Sequence, residues 1–123
     1  MTPASLRFAM EWIETWNTHD LDGVLSHYSP TVRFSSPVAL DRVPGSRGVL
    51  EGVEALREYW GPALEAMPDL HFELEDVLDA VGGCTIIYRN QRGQRVAETM
   101  LFGPDGKIAY GLAAYASVTS AAA

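Results

Sequence analysis

The chain has 123 residues, 47% of them hydrophobic and 20% charged, which is typical of one soluble domain with a single core. Nine basic and sixteen acidic residues give a net charge of −7, so nucleic acid and anionic membranes are not expected as partners. No apolar run approaches the roughly 20 residues that span a bilayer.

The cysteine content and the first residues bear on location. The single cysteine, Cys84, excludes an internal disulfide and fits a reducing compartment. The segment "MTPASLRFAMEW" lacks the basic region and the continuous apolar stretch of a signal peptide. We therefore expect a cytoplasmic protein with Cys84 as a small core residue.

Three helices are expected in the first half of the chain. Apolar residues at helical spacing predict the first over residues 4–17 and the third over residues 53–67. Pro62 removes one backbone hydrogen bond within the third helix and predicts a kink or an early end there. Asp20 is the expected N-cap of a short helix between them.

Strands are expected between and after these helices. The segment "TVRFSS", closed by Pro37, predicts a strand, whereas residues 38–52 are expected to be irregular apart from a short strand in "RGVLEG". Beyond the third helix, the turns "GG", "RG" and "GPDG" separate four segments that predict an antiparallel meander. These segments are "LHFELEDVLDAV", "CTIIYRNQ", "QRVAETMLF" and "KIAYGLAAYASV", the last over residues 107–118. Helices grouped ahead of an antiparallel sheet indicate an α+β fold, and a sheet curved over three helices can enclose a cavity.

Common cofactor and metal motifs are missing from the sequence. There is no phosphate-binding "GK[ST]", no dinucleotide fingerprint and no "GxSxG" nucleophile motif. The three histidines, His19, His27 and His71, do not have the spacing of metal ligands. We therefore predict neither a metal nor an organic cofactor.

Glu98 is the residue whose pattern suggests chemistry. Period-two alternation places it on one strand face with Val96, Met100 and Phe102. Large apolar side chains usually mark the buried face, which favours an inward Glu98 over one that is exposed on the outer sheet or at a subunit contact. Burial would raise the pKa of its carboxyl above the reference of about 4.3, so it would act as a proton donor or general base near neutrality.

The final strand carries small residues on one of its two faces. Such residues either leave space for a ligand or let a helix approach closely, and the sequence leaves both interpretations open. One face consists of Ala109, Gly111, Ala113 and Tyr115, and the other of Tyr110, Leu112 and Ala114.

Several segments together resemble a known family. The helix-to-strand segment "WIETWNTHDLDGVLSHYSPTVRFSSP", the helix "GVEALREYW" and the strands with "FGPDGKIAYGLAAY" are similar to the SnoaL-like branch of the nuclear transport factor 2-like superfamily, over about residues 5–117. This superfamily includes ketosteroid isomerases, limonene epoxide hydrolases and polyketide cyclases. The resemblance implies one domain over residues 1–123, a cone of curved and mostly antiparallel sheet wrapped on three helices, an apolar pocket and a homodimer. It also supports the inward placement of Glu98.

The catalytic patterns of these relatives are only partly present. Where the isomerases have a general-base aspartate before a proline, this chain has Ser36, and Trp12 occupies the position of their oxyanion tyrosine. The second acid of the isomerase oxyanion hole corresponds to Glu98. In the epoxide-hydrolase pattern, Phe34 and Ser36 replace the tyrosine and asparagine of the first strand, and Ala113 replaces the final aspartate.

The partner of Glu98 depends on the turn at "RG". A two-residue turn would place Arg89, which lies near the position of the epoxide-hydrolase arginine, on the face of Glu98 and hold the carboxyl ionised. A three-residue turn would place Tyr88 on that face and leave the carboxyl freer to be protonated. The sequence is compatible with both registers.

These observations predict a protein with a pocket for a small apolar organic compound. If it is an enzyme, the expected chemistry is cofactor-free acid–base isomerisation, cyclisation or hydrolysis, with Glu98 as the catalytic residue. One alternative is a non-catalytic binding or accessory domain that has lost the acids of its relatives, and another is an association module that uses the outer sheet face. The residues expected to contact the ligand are Trp12, Trp16, Ser36, Tyr59, Tyr88, Met100, Ala113 and Tyr115.

Overall fold

A computed structural model describes residues 2–117 of the chain and has the predicted α+β architecture. Its helices are α1 (Pro3–Asn17), α2 (Leu21–Leu25), α3 (Pro37–Arg42) and α4 (Val53–Ala66). Its strands are β1 (Tyr28–Ser35), β2 (Val49–Glu51), β3 (Glu73–Ala80), β4 (Gly83–Arg89), β5 (Arg95–Phe102) and β6 (Ile108–Tyr115). Val118, the last residue of the predicted final strand, lies outside the described residues. None of the described helices has the length and apolar character needed to cross a membrane.

One curved sheet contains all six strands of the described chain. Its order is β2-β1-β6-β5-β4-β3, and every neighbouring pair is antiparallel except β1 and β6. The predicted meander from β3 to β6 is confirmed. The parallel pairing of β1 with β6 brings the first and last strands together, so the inner face is built from both halves of the sequence.

The helical prediction is largely confirmed for α1 and α2. Thr2 caps α1 by accepting a hydrogen bond from the Ser5 backbone N–H at 3.1 Å, and Pro3 occupies the first turn, where its missing N–H costs nothing. Asp20 caps α2 as predicted, accepting from Gly23 N at 3.0 Å. The buried residues of α1 fall on one face and comprise Ala9, Trp12, Ile13 and Trp16.

A fourth helix, α3, occupies part of the segment that was predicted to be irregular. Ser36 is its N-cap and accepts a hydrogen bond from Val38 N at 3.1 Å, while Pro37 lies in its first turn. A capping residue followed by proline is a standard helix start, so the Ser-Pro pair is a signal that the sequence prediction missed. The three predicted helices are all present, and α3 is an additional short helix.

Two prolines lie within regular elements. Of the kink or early end expected at Pro62, the early end does not occur, since α4 continues to Ala66. Pro62 has no N–H to donate to the carbonyl of Glu58, four residues earlier in the helix. Both residues are exposed, so water can hydrogen-bond to that carbonyl instead. Strand β1 begins at Tyr28, ahead of Pro30, and its pairing with β6 shifts between Tyr28 and Arg33, where proline lacks a ladder donor.

The core lies between the inner face of the sheet and the helices. Helix α1 packs on β3 and β4, and α4 packs on β1 and β2. Cys84 is buried in this core, as predicted. The opposite face of β6 is open to solvent, where Tyr110 and Leu112 are more than half exposed at 56% and 53%.

Candidate functional site

Glu98 lies on the inner face of β5, and the inward placement is confirmed. Its side chain is 6% exposed. In the register of the sheet it stands opposite Ile86 of β4 and Ala113 of β6, so its immediate cross-strand neighbours are apolar. The carboxyl has therefore lost most of its hydration without gaining a charged neighbour.

The hairpin between β4 and β5 determines which side chain joins Glu98. Its loop has three residues, because Asn90 N donates to Gln94 O at 3.0 Å, and Gly93 adopts a φ of 74° that suits glycine. This register pairs Tyr88 with Val96 and places Tyr88 on the inner face. Arg89 points to the other face, where it donates to Glu75 Oε2 at 2.6 Å. Of the two registers that the sequence allowed, the structure has the one with Tyr88.

Glu98 and Tyr88 form a buried hydrogen-bonded pair. The Tyr88 hydroxyl donates to Glu98 Oε2 at 2.5 Å, and Oε1 has no hydrogen bond within the described residues. Burial raises the pKa of Glu98 to about 7, although the hydrogen bond from Tyr88 opposes the rise. Burial and the nearby carboxyl keep the pKa of Tyr88 well above its usual value, so Tyr88 remains a donor.

A cavity of about 130 Å³ opens beside this pair. One wall of the cavity is aromatic, and there the Phe72 and Tyr88 rings stack with their centroids 4.2 Å apart. A dry engineered cavity of about 150 Å³ in another protein is large enough for benzene, so this one suits a single ring. The apolar lining residues include Trp16, Phe34, Tyr59, Trp60, Met67, Leu70 and Phe72.

The end of α1 positions the wall that Leu70 and Phe72 contribute. The Asn17 amide donates to Phe72 O at 2.9 Å and accepts from Phe72 N at 2.7 Å, like a residue of a neighbouring strand. His19 Nε2 lies 2.9 Å from Leu70 O. These contacts hold the segment before β3 against the helix, where alternation alone predicted a longer strand.

A second polar group on the cavity wall consists of Ser36, Tyr59 and Tyr115. Ser36 is 5% exposed, and its hydroxyl lies close enough to both tyrosines to influence their pKa values. Burial raises the pKa of Tyr59 and of Tyr115, more strongly than the Ser36 hydroxyl and the charge of Arg42 lower it. Both phenols therefore keep their protons at neutral pH and are available as hydrogen-bond donors.

Two buried polar atoms of cavity-lining residues have no hydrogen-bond partner in the described part of the chain. They are Nε1 of Trp16 and Oε1 of Gln91. An unpaired buried polar group costs roughly 1–3 kcal/mol, a cost that a bound molecule with matching groups would offset.

The mouth of the cavity is polar. It is formed by the tip of the β4–β5 hairpin, with Asn90, Arg92 and Gln94, and by Arg42 at the end of α3. Asn90 braces the hairpin tip, since its Oδ1 accepts from the backbone N–H groups of Arg92 and Gln94, both at 3.0 Å. Arg42 and Arg92 are exposed.

The structure brings most, but not all, of the predicted site residues to the cavity. Trp12 is fully buried behind the wall and donates its indole N–H to the Tyr28 hydroxyl at 3.2 Å. Met100 and Ala113 are buried but do not line the cavity. The residues that do line it are Glu98, Trp16, Ser36, Tyr59, Tyr88 and Tyr115.

Gly111, one of the small residues of β6, has another explanation than the two that the sequence allowed. A Cβ on Gly111 would lie 3.0 Å from the Phe34 ring. The space that glycine leaves is therefore filled by an aromatic side chain of β1, and not by a ligand or a helix. The parallel pairing of Phe34 with Gly111 is what brings them together.

Several cavity residues were not anticipated from the sequence. The sequence identifies Trp60 and Phe72 only as core positions, Gln91 only as the last residue of a predicted strand, and Arg42 and Arg92 only as loop or turn residues. If Ser36 and Pro37 are read as the start of a helix, Arg42 falls on that helix about one and a half turns after its N-cap. In the described chain no three metal-ligating side chains come together.

The chain is similar to known proteins in sequence and in fold. Residues 9–111 match the family model of the SnoaL-like domain. No curated protein matches the sequence. The structure of a SnoaL-like protein of unknown function from Burkholderia thailandensis has 41% identity and a TM-score of 0.90, over 94% of this chain and 98% of that one.

Two more distant structures share the fold but carry different names. A Shewanella denitrificans protein, provisionally assigned as a SnoaL-like polyketide cyclase, has 14% identity and a TM-score of 0.73 over 98% of this chain and 96% of that one. AclR from Streptomyces galilaeus, provisionally assigned as a hydroxylase, has 17% identity and a TM-score of 0.72 over 97% and 93%. Such similarity shows the fold alone, because one scaffold hosts many activities.

Proposed function

The chain belongs to the SnoaL-like domain family, and we propose that it binds a small, largely apolar organic compound and catalyses a cofactor-free proton transfer on it. Glu98 is the general acid–base residue of this proposal. The observation that carries it is a buried carboxyl on the wall of a ring-sized cavity, with a pKa raised to about 7. A proton-transfer group works best when its pKa lies near the working pH.

The carboxyl has one oxygen held and one free. Tyr88 donates to Oε2 and fixes the orientation of the group. Oε1 has no such partner among the described residues, so it is the oxygen that meets the ligand. In its ionised form Glu98 removes a proton from a carbon next to a carbonyl group, and in its protonated form it returns that proton to another atom of the same molecule.

The charge that develops on the ligand oxygen needs a donor of its own. The phenols of Tyr59 and Tyr115 line the same cavity and stay protonated at neutral pH. The charge of Glu98 acts on both phenols, which indicates that they lie within electrostatic reach of it. They are the donors that would stabilise an enolate.

The proposal is tested with an enolisable ring ketone in D₂O. We expect the protein to accelerate deuterium exchange at the carbons next to the carbonyl of cyclohexanone, a single-ring ketone of the size that the cavity suits, followed by NMR. The rate should rise with pH through about 7 as Glu98 ionises, and Glu98→Gln should remove the acceleration. Glu65→Gln, which changes an exposed carboxylate on α4, is the matched control and should leave the rate unchanged.

A binding role without catalysis is the second candidate. Ser36 serves as the N-cap of α3 and Ala113 lies directly opposite Glu98, and these are two positions where related enzymes have acidic residues. In this case ring compounds bind in the cavity, but exchange is no faster than in buffer and Glu98→Gln changes only the affinity. Exchange that persists in Glu98→Gln would contradict the role assigned to Glu98.

A further inference from the structure

The two ends of the cavity differ in charge. Among the described residues that line it, Glu98 is the only acidic one, and Arg42 and Arg92 are basic. The chain as a whole has the opposite tendency, with a net charge of −7. The mouth of the cavity is thus a local positive region on an acidic protein.

The two arginines at the mouth are not committed to carboxylates of the described chain. Arg33, Arg57 and Arg89 each have an ion-pair partner, which are Glu51, Asp22 and Glu75. Arg42 and Arg92 have no such ion pair among the described residues. Their guanidinium groups keep their donors free for an anion, and a guanidinium suits a carboxylate because two N–H donors match its two oxygens.

The positive charge at the mouth does not contribute to the pKa of Glu98. Arg42 acts on the pKa values of Tyr59 and Tyr115. The pKa of Glu98 is set by burial and by Tyr88, with no arginine contribution. The cavity therefore separates a cationic entrance from a protonatable interior.

Trp16 gives an independent indication of what reaches the interior. Its side chain is 5% exposed and lines the cavity, and Nε1 has no partner in the described chain. An indole N–H is a donor only. The buried part of the ligand should therefore present a hydrogen-bond acceptor, such as a carbonyl or a hydroxyl oxygen, on an otherwise apolar ring.

We propose that the compound bound here is an organic acid, with its ring in the aromatic interior and its carboxylate against Arg42 and Arg92 at the mouth. This inference rests on the proposed function and specifies its ligand class. It adds an acidic group and an orientation to the apolar ring compound proposed above. The carboxylate stays in the open mouth, where it keeps part of its hydration, and only the ring is desolvated.

The test compares acids with their neutral esters. Benzoate and 4-hydroxybenzoate are titrated against their methyl esters at about pH 6, where these acids are ionised and Glu98 is protonated. Binding is followed by the tryptophan indole N–H signals in NMR spectra, with Trp16→Phe used to assign the Trp16 signal. The variants are an Arg42→Gln/Arg92→Gln double substitution and Arg95→Gln, an exposed arginine on β5 that pairs with Glu75 away from the cavity.

We expect the acids to shift the Trp16 signal and to bind about tenfold more tightly than the esters at low salt. The preference should fall below about threefold in the double variant and in high salt, and it should persist in Arg95→Gln. Esters that bind as tightly as the acids, or a preference that survives the double substitution, would overturn this inference and leave the proposed function intact. If neither acids nor esters perturb Trp16, the ring-binding cavity of the proposed function fails, and this inference fails with it.

Discussion

The titration of Glu98 should be visible in the stability of the protein. Its pKa is raised from 4.5 to about 7 in the folded state, so the folded protein binds this proton more tightly than the unfolded chain. The contribution to stability is therefore fully present below about pH 4.5 and is lost as the pH rises through about 7. At about 1.36 kcal/mol per pKa unit, the loss amounts to about 3 kcal/mol, without a reduction for solvent because Glu98 is 6% exposed.

Glu98→Gln isolates this contribution from the other titrating groups. Glutamine keeps an oxygen to accept the Tyr88 hydrogen bond but cannot ionise. At about pH 4.5 the variant should be close to the wild type in stability, and by about pH 8 to 9 it should be more stable by about 3 kcal/mol. The measurement is urea unfolding of both proteins at a series of pH values, with the difference in free energy of unfolding plotted against pH.

The tyrosines near Glu98 do not titrate in the pH range of this measurement. The pKa values of Tyr28, Tyr59, Tyr88 and Tyr115 are all raised, chiefly by burial, so none of these phenols ionises in the range used. Glu65→Gln, which changes an exposed carboxylate, is the control and should not reproduce the gain of about 3 kcal/mol. A flat difference for Glu98→Gln would mean that the carboxyl is hydrated or ionised in the folded protein, and the reasoning about its burial would be refuted.

Three further substitutions test the surroundings of the site. Tyr88→Phe removes the donor that lowers the pKa of Glu98. An NMR titration of the Glu98 carboxyl should therefore give a pKa above about 7. A pKa lower than that of the wild type would contradict the hydrogen-bond assignment. Asn17→Ala leaves the backbone N–H and carbonyl of Phe72 without their partners, and urea unfolding should show a loss of about 2–3 kcal/mol; a loss under about 0.5 kcal/mol would mean that water replaces the amide. Leu112→Glu places a charge on the exposed outer face of the sheet, so the homodimer expected from the family resemblance should dissociate in light-scattering measurements, and a dimer that persists must use another surface.

Strand alternation predicted the part of the site that depends on a single strand. Val96, Glu98 and Met100 are all buried, as the period-two pattern required. The antiparallel meander followed from three short turns of recognisable type. Both predictions rest on local rules, because neighbouring residues in one strand constrain each other directly.

The parts that could not be predicted depend on contacts between distant segments. The parallel pairing of β1 with β6 joins residues 77 to 80 positions apart, and no turn specifies it. This pairing explains Gly111, which makes room for Phe34. The wall formed by Leu70 and Phe72 likewise depends on side chains of α1. Helix α3 is a different case, since the Ser36-Pro37 pair was readable and would have corrected the irregular segment.

One hairpin determines the chemistry available to Glu98. A loop shorter by one residue would turn Arg89 inward, and a guanidinium beside the carboxyl would keep it ionised at neutral pH. The observed three-residue loop, with Gly93 at a positive φ, turns Arg89 outward to Glu75 and Tyr88 inward to Glu98. A phenol supplies a hydrogen bond without a charge, so burial remains the stronger influence and the pKa stays near 7. The loop thus decides which side chain modifies the pKa that burial gives to Glu98. The same loop carries Arg92 at the mouth of the cavity.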